Sequence, residues 1–156
     1  VHLAHLAPAH VTLVVGTTIA LHVFGMYGLS PLFGLLADRA GRIATILVGQ
    51  TLLAAALLLA AIAPDSQWAV LAALFLLGAG WSAATVAGAA LLTESSPTAL
   101  RPRRQGLSDT IMTFSAAVGA VLAGVVLSQI GYGGLAMVAL VLVVAVTVLS
   151  PYARRG

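Results

Sequence analysis

Five apolar runs, each close to the length of a bilayer core, follow one another along this chain with little between them but short turns. They extend approximately from Val11 to Leu36, Ile43 to Ala63, Trp68 to Leu92, Leu107 to Ile130 and Tyr132 to Tyr152. A transmembrane helix needs roughly 20 apolar residues at about 1.5 Å each. A transmembrane β-barrel would instead show segments of roughly 10 residues alternating in polarity, and runs such as Leu53 to Ala60 do not alternate. Pro64 to Gln67 and Gly131 to Gly134 read as turns, and Glu94 to Gly106, with Pro97 and Pro102, reads as the one long loop. The expected architecture is all-α, a polytopic transmembrane helix bundle of about five spans in a single membrane domain covering residues 1–156.

Composition fixes the solvent. With 61% hydrophobic and 7% charged residues and a mean hydropathy of +1.11, the chain lacks the polar residues to cover a water-soluble globule. The absence of cysteine removes disulfides, iron–sulfur clusters and thiolate zinc sites.

All seven basic residues are arginines. They fall in three regions: Arg39 and Arg42, Arg101 to Arg104, and Arg154 with Arg155. The alternate intervals, Pro64 to Gln67 and Gly131 to Gly134, hold none. Positive residues stay on the cytoplasmic side, so the three arginine regions face the cytoplasm, with the N-terminus outside and the C-terminus inside. The net charge of +3 thus reports topology, and no nucleic-acid partner is expected.

One interval is special. Gly34-Leu-Leu-Ala-Asp38-Arg39-Ala-Gly41-Arg42 places three of the eleven charged residues within five positions, directly after one span and directly before the next. Its G-x-x-x-D-R-x-G-R layout resembles the cytoplasmic loop signature of the major facilitator superfamily. A second stretch, Arg101-Pro-Arg-Arg104-Gln105-Gly106-Leu-Ser-Asp109, is similar to the segment that opens the fifth helix of a half in many bacterial members. The likeness is specific over these two stretches and general from about Ile19 to Tyr152.

That resemblance implies a secondary transporter of two six-helix halves, with the signature joining the second and third helix of a half. The five spans become helices two to six, and the arginine tail implies the C-terminal half with its first helix missing. Val1 to His10, broken by Pro8, and the start at valine suit a fragment. The implied partners are a small-molecule substrate, with a coupling ion such as H+ as one option, the lipid bilayer and the missing N-terminal half, in a bacterial cytoplasmic membrane. The alternative is a small non-transporting membrane subunit with an assembly or regulatory role. The upstream gene sequence and a flux assay separate the two.

The residue types give the signature a mechanical reading. Gly34 and Gly41 permit close approach and sharp reversal. Asp38 can accept from the open amides at a helix N-terminus, expected near Gly106. Arg42 can pair with Glu94 or Asp109. With Arg39 and Arg104 these residues form a candidate cytoplasmic gate, a latch closed while the cavity faces outward. The plainer reading is that the charges anchor a loop and set topology, and for Arg103, Arg104, Arg154 and Arg155 that reading is preferred.

His22 lies eleven residues into the first span, about 16 Å deep and near the midplane. Ionisable groups there face a cavity or a partner, so His22 is a candidate substrate or proton site. The alternative is a neutral imidazole bonded to a neighbouring helix through a Ser, a Thr or Gln50. Gly25, Gly28 and Pro31 are placed to loosen the first helix, and the small residues from Gly78 to Gly88 and from Ser115 to Gly124 to let helices approach. Trp68 and Tyr132 suit an interfacial belt.

His2-x-x-His5 has helical spacing but no acid or thiol nearby, so no metal is expected. No G-x-S-x-G, H-E-x-x-H or P-loop motif is present. No enzyme activity, cofactor or ATP-driven step is therefore expected.

Overall fold

A computed structural model describes residues 8–149, and they are helical apart from short turns. The elements are α1 (Pro8–Val23), a π-helical turn (Phe24–Gly28), α2 (Ser30–Ala40), α3 (Arg42–Ile62), α4 (Gln67–Glu94), a 3₁₀ turn (Thr98–Leu100) and α5 (Arg101–Leu149). Helix α5 breaks at Gly131, whose φ of 71° is open to glycine and strained for other residues. Four stretches are long and apolar enough to cross a membrane: Thr12–Ala40, Arg42–Ile62, Gln67–Glu94 and Thr98–Gly131. The described part of the fifth run, Gly133–Val148, is shorter. Tyr152, its expected end, lies outside the described residues, as do His2, His5, Arg154, Arg155 and the side chain of Tyr132.

The helix boundaries refine the sequence reading at three places. The signature is not a loop: α2 runs on to Ala40 and α3 starts at Arg42, leaving Gly41 alone to reverse the chain at φ 95°. The long interval from Glu94 to Gly106 shrinks to Ser95–Pro97 and the 3₁₀ turn, because α5 starts at Arg101 and not near Gly106. Pro102 sits in the first turn of α5, where an amide hydrogen has no intrahelical acceptor in any case. The first span is interrupted, by the π turn at Phe24–Gly28 and by Leu29. Gly28 belongs there because a β-carbon would strike the Phe24 ring at 2.6 Å.

Helix α4 is the hub. It packs against α1, the π turn and α2 on one side and against α3 on the other. The buried core is mostly alanine, including Ala56, Ala60, Ala73, Ala79, Ala83 and Ala87, with Phe33 as its one large member. In lipid, helices gain nothing by hiding leucine from an equally apolar solvent, so close van der Waals contact between small residues holds them together. A β-carbon on Gly25 would lie 2.7 Å from the Phe75 carbonyl, and one on Gly78 would run into the His22 carbonyl. Across the other crossing, a β-carbon on Gly80 would lie 2.8 Å from the Gly49 carbonyl. Gly34, Gly106, Gly119 and Gly124 have open space instead, so the close approach expected at Gly34 and in the 115–124 stretch is not made there.

The outer surface is leucine, valine, isoleucine and phenylalanine, as lipid requires. Helix α5 differs along its length. Its first arm buries none of its most apolar window, whereas the second arm carries the buried Ala136.

Candidate functional site

The charges of the G-x-x-x-D-R-x-G-R signature meet at one point. Arg42 Nη1 donates to Asp38 Oδ1 at 2.7 Å, one helical turn back across Gly41. Its Nε and Nη2 both donate to Glu94 Oε1, at 3.1 and 2.5 Å, and Nε also reaches Oε2 at 3.2 Å. One guanidinium therefore ties the end of α2, the start of α3 and the last residue of α4. The planar fork of arginine suits this two-sided task better than a point charge would.

Arg42 retains 22% side-chain exposure against 66% for Asp38 and 53% for Glu94. The network is open to water, so each link is individually weak and easily broken. Behind it, Thr45 is fully buried and donates to the Gly41 carbonyl at 3.1 Å, pinning the reversal to the first turn of α3.

Arg42 thus takes Glu94 of its two expected partners. Asp109 is not drawn in; it accepts from Gln105 Nε2 at 3.2 Å on its own helix. Asp38 was expected to cap the helix carrying Leu107 to Asp109; the bond it makes here is from Oδ1 to Arg42. Arg39 is exposed in the last turn of α2, where a cation complements the helix dipole.

Arg104, expected mainly to set topology, is bonded in the structure. Its Nη1 donates to Ser96 Oγ at 3.1 Å, and Arg101 Nε donates to the Ser96 carbonyl at 3.2 Å. Ser96 Oγ in turn donates to the Leu92 carbonyl at 2.6 Å and is buried. Two arginines at the start of α5 therefore cap the C-terminus of α4, next to Glu94. Ser96 was not singled out from sequence. The signal was a Ser-Pro at the end of an apolar run, followed by arginines five and eight residues later.

Deeper in, His22 Nδ1 lies 2.8 Å from the Leu74 carbonyl of α4. A carbonyl only accepts, so Nδ1 carries a proton and Nε2 is the ring nitrogen left for another partner. The cross-helix bond expected to a Ser, a Thr or Gln50 runs instead to backbone. On the same seam Ser30 Oγ and Ser82 Oγ are 3.0 Å apart. Tyr27 and Trp81 meet edge to face there, with ring centroids 6.0 Å apart. Trp68 is 79% exposed at the opposite end of α4, consistent with an interfacial position. Among the described residues no group of histidine, aspartate and glutamate is arranged to hold a metal.

The family model described as Major Facilitator Superfamily matches residues 5–155. The uncharacterized MFS-type transporter YddS of Bacillus subtilis is 43% identical over 134 residues, 85% of this chain and 30% of its own length. The uncharacterized MFS-type transporter YdeG of the same organism is 36% identical over 139 residues, 88% of this chain and 32% of its own. The chain thus spans about a third of these relatives. No solved structure matches. A family match that runs nearly end to end, over helices this apolar and around a signature whose charges converge, leaves one assignment: the chain is an integral membrane protein of the major facilitator superfamily.

Proposed function

We propose that this chain is the C-terminal half, without its first helix, of a secondary transporter that moves a small solute by alternating access. The family stands for membrane transport; the mechanism rests on one observation. A single guanidinium, Arg42, joins three helix ends on the arginine-rich side. A link of this kind can hold that side closed and still release, since its weak, water-exposed contacts set a balance between two states instead of freezing one. The interrupted first span, with its π turn beside α4, provides a place for the helix to flex. An N-terminal half would complete the cavity, and a proton is one candidate for the coupling ion.

In the full-length protein, a cysteine introduced by Ser30→Cys, in the middle of the first span, should react with an impermeant maleimide from either face of sealed vesicles. A panel of solutes should include one that accumulates under an ion gradient. One-sided reaction together with no accumulation would favour a non-transporting subunit.

The orientation has its own test. Cysteines introduced by Ser66→Cys and Gly133→Cys should label from outside intact cells, and Thr98→Cys should not. External labelling at Thr98 would reverse the topology.

For His22 we propose a role in substrate or proton handling through Nε2. Replacing His22 with alanine in the full-length protein should lower flux by at least about tenfold, the scale of one lost binding contact of about 1.4 kcal/mol, and by more if the ring transfers a proton. The amount of folded protein in the membrane should not change. Wild-type flux across the pH range would leave the ring only its bond to Leu74.

A further inference from the structure

Asp109 stands apart from the other acids. Asp38 and Glu94 share Arg42 as their ion-pair partner, and Asp65 lies in the turn between α3 and α4. Asp109 has no basic partner within ion-pair distance among the described residues. Arg101 and Arg104, the arginines nearest it on α5 with a bonded partner, are both turned to Ser96. Asp109 is also the one acid in the apolar stretch Thr98–Gly131, about 12 Å along α5 from Arg101.

It borders a cavity of about 280 Å³ between α4 and α5, with Thr85 and Gly88 on one wall and Gln105, Ser108 and Met112 on the other. Nothing fills the space beside Gly88, where a β-carbon would find no neighbour within 4 Å. The Gln105 amide is oriented by the carboxylate: its NH₂ faces Asp109 Oδ1, which leaves Oε1 pointing elsewhere, buried and without a donor. The Thr85 hydroxyl spends its hydrogen on the Trp81 carbonyl at 2.7 Å and has only acceptor capacity left.

The lining carries a carboxylate without a basic partner, the Thr85 oxygen as an acceptor, the Ser108 hydroxyl, which can donate or accept, and no basic side chain. An anion would be repelled by Asp109, whereas a positively charged N–H donor pairs with the carboxylate and can also donate to the hydroxyl oxygens. The volume has room for an organic group besides the nitrogen, and Met112 supplies an adaptable apolar contact for it.

We propose that this cleft binds the ammonium group of a protonated amine, so that the transported solutes include organic cations of this class. The inference rests on the transport reading above and narrows its substrate.

Equilibrium binding of radiolabelled benzylammonium to the purified full-length protein tests it, with benzyl alcohol as the neutral competitor of similar shape. Benzylammonium should bind saturably, and benzyl alcohol should compete poorly. Asp109→Asn should raise the Kd by at least about tenfold, the scale of one charge-assisted bond. Gln105→Leu, which leaves the charge in place, should raise it by a smaller factor and decides the matter if Asp109→Asn does not accumulate. No saturable binding, equal competition by the alcohol, or unchanged Kd in the variants would overturn the assignment. Two-sided maleimide reaction at Ser30→Cys, measured on the same protein in sealed vesicles, keeps the two readings apart. If it persists without benzylammonium binding, the cation site falls and transport stands; if binding persists without it, the reverse holds.

Discussion

Replacing Gly78 with valine should cost this protein its fold at the crossing of α1 and α4. The β-carbon would be driven into the His22 carbonyl and toward the Met26 amide, 3.1 Å away, and neither is a side chain that can swing aside. Overpacking against atoms that can move typically costs about 1–3 kcal/mol; against backbone, the helices must separate instead. Separation would break the His22 to Leu74 bond and loosen the Ser30 to Ser82 contact on the same seam. Thermal unfolding of the full-length variant in detergent should show a midpoint lower by on the order of 5 °C or more, with less protein in the membrane. Gly88→Val is the internal control, being on the same helix but with open space around it, and should leave the midpoint nearly unchanged. Equal loss in both variants would mean that α4 responds to helix propensity and not to this contact.

The contrast between Gly78 and Gly88 also marks how far sequence could lead. Spans, polarity and the three arginine regions follow from apolar length and charge placement, properties that each residue carries with it. The helical reversal at Gly41 follows from the charged signature, although its reduction to one residue does not. Which glycine meets a neighbour depends on where two helices cross, and Gly34, Gly78, Gly88 and Gly119 are alike until the crossing exists. The same limit hid the partner of His22: a backbone carbonyl such as that of Leu74 is present at every residue and carries no signal in the side-chain sequence. The early start of α5 was legible in principle, since Pro102 suits a first helical turn, but two prolines and three arginines within eight residues read more readily as a loop. Arg42 with Glu94 was within reach because so few charges are present that each has a short list of partners.

That short list makes the charge network testable by exchange. Arg42→Glu in the full-length protein would set a third carboxylate beside Asp38 and Glu94, turning the tie between α2, α3 and α4 into mutual repulsion. Solute flux should fall by roughly tenfold, and maleimide access from the cytoplasmic face should rise, because the arginine-rich side no longer holds closed. Glu94→Gln alone, which removes one charge from an exposed pair, should have a smaller effect, about two- to fivefold. The double exchange, Arg42→Glu with Glu94→Arg, returns a guanidinium to within reach of the α2 and α3 ends. If the two residues act on each other, the double variant should recover much of the lost flux, giving a coupling that neither single change predicts. Insertion of the double variant should be retained, since the exchange preserves the number of positive charges on that side. Losses that simply add would show that Arg42 and Glu94 act separately, as topology anchors. The π turn and the Asp109 cleft would then be the remaining places to look for the moving part, because both lie against α4 and neither depends on the Arg42 link.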